Sequence, residues 1–150
     1  MRVLVTGGAG YVGSHAVRAL VAAGHEVTVF DSLAAGHRRA VDPKAAFVQG
    51  DLGDQATVDA TLAGGRFDAV MHFAAWLSVG ESVQRPLKYY ENNVANTLKL
   101  LQAMERHGVK RFIFSSTCAV YGEAAKVPIV EDLPKSPINP YGHTKLVVEW

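Results

Sequence analysis

A single cysteine, Cys118, stands among the 150 residues, so no internal disulfide can form, and the six histidines are scattered without metal-ligand spacing. The expectation is a reducing, cytoplasmic setting and no metal site. Charge of one sign is also lacking. Fifteen Lys and Arg face fourteen Asp and Glu, which excludes a basic field for nucleic acid and an acidic solvating tail. No apolar run is long enough to span a membrane, and the apolar start Val3–Val5 is broken at once by glycines, unlike the core of a signal peptide. Internal repeats, low-complexity tracts and Pro/Ser-rich linkers are missing; the one proline-dense stretch, 128–140, reads as a surface loop. What is present is ordinary: 49% apolar and 19% charged residues, enough to bury the core of one domain spanning 1–150.

Along the chain, short β-branched and aromatic runs alternate with helical patterns. Arg2–Thr6 is an apolar run ending in glycines, and Tyr11–Ala23 then places Val12, Ala16, Ala19 and Leu20 at helical spacing before Gly24 stops it. Strands are predicted at Glu26–Phe30, Ala46–Gln49, Ala69–Phe73 and Arg111–Ser115, with helices at Gln55–Leu62 and Pro86–His107 between them. Parallel neighbours need crossovers and helices are the usual ones, so the alternation predicts a doubly wound α/β fold with a parallel sheet. In such sheets ligands sit beyond the carboxyl ends of the strands. The glycine-rich turn, Asp31, Asp51, Phe73 and Ser115 all fall there.

Thr6-Gly7-Gly8-Ala9-Gly10-Tyr11-Val12-Gly13 follows a strand and opens a helix, the context a dinucleotide-binding turn requires. Either Gly8, Gly10 and Gly13 or Gly7, Gly10 and Gly13 satisfy the spacing. Glycines there permit a tight turn and let backbone approach a pyrophosphate, while amides at the helix start receive its charge. Asp31 ends the second strand 18 residues after Gly13, where a carboxylate accepts hydrogen bonds from adenine-ribose hydroxyls and repels a 2′-phosphate. NAD is thus favoured over NADP, and Arg38 and Arg39 just downstream read as a solvated loop. Asp51 and Leu52 after the third strand are candidates for the edge and face of an adenine; the alternative for Asp51 is a helix cap.

Near the end, Tyr141-Gly142-His143-Thr144-Lys145 places Tyr141 and Lys145 on one helix face after Pro140. A phenol titrates near ~10, so it serves as a base only with help, and an ammonium beside it favours phenolate. Read alone, the same spacing equally suits the start of an exposed amphipathic helix. Ser115-Ser116-Thr117 puts hydroxyls at the end of the fifth strand, either to orient a carbinol oxygen or to satisfy the strand terminus itself. Cys118 beside them has no evident base and reads as a packing residue.

Taken together these residues resemble the extended short-chain dehydrogenase/reductase superfamily, and within it most closely the UDP-glucose 4-epimerases. The resemblance spans the chain. Beyond the glycine turn and the Tyr/Lys segment it rests on Asp31-Ser-Leu-Ala-Ala-Gly-His37, Gly50-Asp-Leu52, His72-Phe-Ala-Ala75, Val79-Gly-Glu-Ser-Val83, Tyr89-Tyr-Glu-Asn-Asn-Val94 and Ser115-Ser-Thr-Cys-Ala-Val-Tyr-Gly122. It implies an NAD(P)-binding Rossmann fold and a tightly held NAD that takes hydride from C4 of a UDP-sugar while Tyr141 takes the 4-hydroxyl proton. The 4-keto sugar then turns and receives the hydride on its other face. It further implies that Thr117 bonds the sugar hydroxyl and that Lys145 holds the nicotinamide ribose and tunes Tyr141. Gly7, Gly10, Tyr11, Val12, Gly13, Asp31, Asp51, Leu52, Phe73, Ala74, Ala75 and Asn92 would line the NAD site, and a homodimer is the implied full-length form.

Departures from the resemblance are three. Ser32 stands where relatives commonly have Asn, and Leu77 where some carry a cofactor-contacting Lys. The third is length: the resemblance implies a C-terminal lobe gripping UDP beyond Trp150, whose absence would leave Leu146, Val147 and Trp150 uncovered and the chain alone a weak NAD binder without epimerase activity. Two other readings stand beside this one. A related nucleotide-sugar epimerase or dehydratase is the first, although Cys118 and Ala119 lack the carboxylates that dehydratases place there. A non-catalytic NAD-binding module is the second.

Overall fold

The structure is a computed structural model describing residues 1–150. The chain forms two compact units, Met1–Ala74 with Leu98–Ser115, and Ala75–Thr97 with Ser116–Trp150. The first contains one five-stranded parallel sheet. Its strands are β1 (Arg2–Thr6), β2 (Glu26–Asp31), β3 (Ala46–Gln49), β4 (Ala69–His72) and β5 (Phe112–Phe114), in the order β3-β2-β1-β4-β5. Side chains alternate between the faces. Leu4, Phe30 and Val70 point to one face, packed with Val58 and Leu62 of α2 (Gln55–Gly65) and with Leu100, Ala103 and Met104 of α5 (Asn96–Arg106). Val3, Val5, Val27 and Val29 point to the other, against Val17 of α1 (Tyr11–Ala22). Helices therefore cover both faces, as the alternation of strands and helices requires.

Local chemistry sets the helix ends. Asp54 caps α2 by accepting from the backbone N–H of Ala56 and Thr57, and Gly24 at φ +81° takes the left-handed turn that ends α1. Asp51 does not cap α2; it closes a turn by accepting from the Gly53 N–H at 2.7 Å.

The second unit departs from the sequence expectation in three places. A short helix, α3 (Val79–Gln84), forms after Ser78, whose hydroxyl accepts from the Glu81 N–H. The expected single helix from Pro86 to His107 is composite: α4 (Pro86–Tyr89) runs through a wider π-type turn, Tyr90–Ala95, into α5. Residues Cys118–Tyr121 form a tight 3₁₀ turn. Pro128 to Asn139 carries no helix or strand, and α6 (Pro140–Glu149) follows with Pro140 at its first turn. Leu146, expected to lack cover, is 4% exposed, because α6 packs onto α3 and the π-type turn within this unit; Val147 and Trp150 are exposed.

Candidate functional site

In the first unit the parallel strands bring their carboxyl ends to one rim, so Gly7, Asp31, Asp51, Phe73 and Ser115 follow or end neighbouring strands. The turn after β1 decides between the two glycine spacings. Gly7 sits at φ +74°, and a Cβ there would lie 2.5 Å from the Ala74 nitrogen and 2.7 Å from the Phe73 carbonyl carbon, so only glycine lets β1 leave the sheet beside the chain after β4. Gly8 instead packs toward Val29. Gly10 is the cap residue of α1 and has no side chain to close the helix end, which leaves the first-turn amides of Tyr11, Val12 and Gly13 uncapped by any side chain. Tyr11 and Val12 project outward, 83% and 58% exposed. Gly13 faces the Gly7 carbonyl oxygen too closely for any side chain. The result is an exposed cluster of amides at the positive end of a helix, which suits a pyrophosphate.

Asp31 is buried beside this turn. One carboxylate oxygen accepts from the Ala9 N–H at 3.0 Å and the other from the Leu33 N–H at 2.8 Å, which fixes the group's orientation and leaves each oxygen a further lone pair. The segment after it folds back over the turn, the His37 N–H donating to the Ala9 carbonyl. Arg38 lies 4.5 Å over the Phe47 ring. Leu52 is core, 6% exposed, whereas Asp51 lies at the surface. Phe73 and Ala74 are half-buried, and the Phe73 N–H donates to the Thr6 carbonyl, tying β4's end to β1's. No group of His, Cys, Asp and Glu with the makings of a metal site occurs.

In the second unit α6 carries Tyr141 and Lys145 one turn apart. Asn139 caps it by accepting from the Gly142 N–H at 2.9 Å. A Cβ on Gly142 would lie 2.8 Å from the Ala119 carbonyl oxygen, so the first turn of α6 rests directly on the Cys118–Tyr121 turn that Thr117 caps. Thr117 and Tyr141 thus belong to two backbones in contact. Thr117 is half-buried and its hydroxyl accepts from the Ala119 N–H at 3.2 Å. Lys145 is only 4% exposed, and burial pulls its ammonium down to about 8, from an ordinary 10.5. At neutral pH it is still mostly a cation, held out of water.

Asn92 is a candidate from the sequence, whereas its neighbour Asn93 is not. The π-type turn buries Asn93, whose amide makes four bonds: its oxygen accepts from the Trp76 N–H (2.9 Å) and from Asn92 (2.9 Å), and its nitrogen donates to the Trp76 carbonyl (2.9 Å) and the Thr144 hydroxyl (3.2 Å). The Thr144 hydroxyl in turn donates to the Tyr141 carbonyl at 2.7 Å. One amide therefore ties the residue after Ala75, the neighbouring Asn92 and the helix of Tyr141. Nothing in an Asn-Asn pair signals this, because the partners lie 17 and 51 residues away. Asn93→Leu leaves the Trp76 backbone and Thr144 without these partners, and a loss of about 3 kcal/mol or more in unfolding free energy is expected by chemical denaturation. An unchanged transition midpoint would show that the four bonds carry no stability.

A parallel sheet in this order, with a glycine-rich turn at a helix start and an aspartate ending the next strand, defines a Rossmann-type dinucleotide-binding fold. The profile of the NAD dependent epimerase/dehydratase family matches residues 3–150, and the chain belongs to that family. It is 58% identical over 149 residues to a UDP-glucose 4-epimerase of Lactobacillus helveticus, covering 99% of this chain and 45% of that protein. It is 51% identical over 156 residues to a putative UDP-arabinose 4-epimerase of Arabidopsis thaliana, covering 98% of this chain and 36% of that one. Among solved structures it superposes on the UDP-glucose 4-epimerase of Brucella ovis in complex with NAD with a TM-score of 0.95 at 47% identity, covering 99% of this chain and 45% of that one. The chain thus spans less than half the length of these relatives.

Proposed function

We propose that this chain is the cofactor-binding part of an enzyme that interconverts UDP-glucose and UDP-galactose by inverting C4 through a 4-keto sugar. The observation that carries this reading is the buried Lys145 one helical turn after Tyr141 on α6, which puts an ammonium and a phenol, a pair suited to proton transfer at a sugar hydroxyl, on one helix face. Family membership and the names of the relatives support it.

The residues present fit NAD. Uncapped amides at the start of α1 suit the pyrophosphate, with Gly7, Gly10 and Gly13 keeping side chains out of its way. Asp31 would accept from the adenine-ribose hydroxyls, and Tyr11, Val12, Asp51, Leu52, Phe73, Ala74, Ala75 and Asn92 would hold the cofactor. Bound NAD would supply an acceptor for the hydride that leaves C4 of the sugar and a donor to return it. Tyr141 would take the 4-hydroxyl proton as C4 becomes a ketone and give it back to the epimer, while Thr117 would hold that oxygen and Lys145 the nicotinamide ribose. A UDP-sugar substrate, a role in galactose metabolism, a cytoplasmic setting and a homodimeric full-length form belong to the same reading.

The cofactor half is tested by titration. Asp31 repels a 2′-phosphate, so NAD should bind about tenfold or more tighter than NADP, and Asp31→Ala should erase most of that preference. Equal affinity of the unmodified protein for both would overturn the assignment of Asp31.

A further inference from the structure

We propose that Glu149 is a positioning residue that fixes the spacing between Thr117 and the Tyr141/Lys145 pair; the inference rests on the roles given to those three residues above. Tyr141, Lys145 and Glu149 recur every four residues, so they lie along one face of α6, advancing only about 40° per step at 100° per residue. On this face Lys145 is buried, Tyr141 half-buried and Glu149 exposed. Glu149 ends it, and its two oxygens are engaged differently: one accepts from the Ser116 hydroxyl, the other pairs with the Lys135 ammonium at 2.8 Å. Ser116 immediately precedes Thr117, and Lys135 lies in the segment leading into α6.

A carboxylate in the last turn of a helix sits at the negative end of its dipole, an unfavourable place unless other groups compensate. Here burial raises the Glu149 carboxyl, yet the hydrogen bonds from Lys135 and Ser116 outweigh it and hold the group below its usual range. The anion is therefore the form that accepts from Ser116. Both ends of α6 then grip the same neighbour: Gly142 rests on the Ala119 backbone at the first turn, and Glu149 holds Ser116 at the last. Thr117 lies between these two attachment points in sequence. With Gly142 as the only attachment, the 116–117 backbone could swing about it, and the Thr117 hydroxyl with it. Glu149 removes that freedom while Lys135 neutralises its charge.

The test compares Ser116→Ala, Glu149→Leu, their double variant and Glu149→Gln in the full-length protein, with two readouts. The first is the alkylation rate of the exposed Cys118 by iodoacetamide, measured by mass spectrometry on the peptide that contains it, which needs no activity. The second is UDP-galactose turnover, with kcat and KM separated. Ser116→Ala and Glu149→Leu should each raise the Cys118 rate and lower kcat by about fivefold, the worth of a solvent-exposed hydrogen bond to a charged group, with KM and NAD affinity within about twofold. The double variant should do no worse than Glu149→Leu alone, since Ser116→Ala removes a bond already lost there. Glu149→Gln, whose amide oxygen still accepts from Ser116, should recover most of both values. Additive effects in the double variant, or unchanged Cys118 alkylation and kcat in Glu149→Leu, would overturn the proposal. A protein without turnover would refute the proposed function, and the Cys118 rates would still decide the role of Glu149.

Discussion

Tyr141→Phe should lower the interconversion of UDP-glucose and UDP-galactose by the full-length protein by roughly 10²–10⁴ in turnover while leaving NAD affinity nearly intact. The substitution removes one oxygen and leaves the ring, so α6 and its attachments keep their places: Asn139 caps the helix through the Gly142 N–H, and the Tyr141 carbonyl still accepts from Thr144. What is lost is the only phenol in the first turn of α6, one turn from a buried cation. Steady-state kinetics with UDP-galactose checks it. Turnover within a few-fold of the unmodified protein would move the acid/base role to another residue.

Lys145→Met should separate stability from function. The folded protein keeps this ammonium where burial pulls it down to about 8, against an ordinary 10.5. Below about 8 the amine is protonated in both the folded and the unfolded chain, and the folded state bears the full cost of the buried charge. Between about 8 and 10.5 the unfolded chain still holds a proton that the folded chain has lost, so stability rises with pH across that window, and above it the cost is gone. At about 1.4 kcal/mol per pH unit the interval amounts to about 3 kcal/mol. In the cofactor-free protein, the stability of the unmodified chain relative to Lys145→Met should therefore rise by roughly that much as pH goes from neutral to about 10.5. Urea unfolding of both proteins at a series of pH values measures it. NAD affinity and turnover should both fall in the same variant under the role proposed for Lys145, which holds the nicotinamide ribose from the helix face that carries Tyr141. A stability difference that does not change with pH would show that the charge is not what the fold opposes.

How much of this was legible in the sequence follows from where the determining contacts lie. Runs such as Val3-Leu4-Val5 and Val27-Thr28-Val29-Phe30 carry their own strand signal, since both faces of a parallel sheet are buried and side chains alternate between them. Their order, β3-β2-β1-β4-β5, was not read from the sequence, since it depends on which strand each crossover returns to. The glycine turn was legible as a class but not in detail: what assigns the tight turn to Gly7 rather than Gly8 is the approach of Phe73 and Ala74, more than 60 residues away. The Val79–Gln84 helix was missed because it is short, contains Gly80 and depends on the Ser78 cap more than on periodicity. The π-type turn was missed for a different reason. An Asn-Asn pair inside a helical pattern reads as a weak helix, and only the Trp76 backbone and the Thr144 hydroxyl, both distant in sequence, make a widened turn favourable. Leu146 was expected to lack cover because its neighbours in α3 and the π-type turn were not foreseen. Glu149 drew no notice at all, since its bond to Ser116 spans 33 residues.

In the proposed reaction C4 of a UDP-sugar is inverted by removing a hydride and returning it to the same carbon, with Tyr141 handling the proton. UDP-galactose carrying deuterium at C4, incubated with the full-length protein and NAD in ordinary water, should yield UDP-glucose that retains the deuterium at C4. Failure to form UDP-glucose, or UDP-glucose whose C4 deuterium has been exchanged for solvent hydrogen, would contradict it.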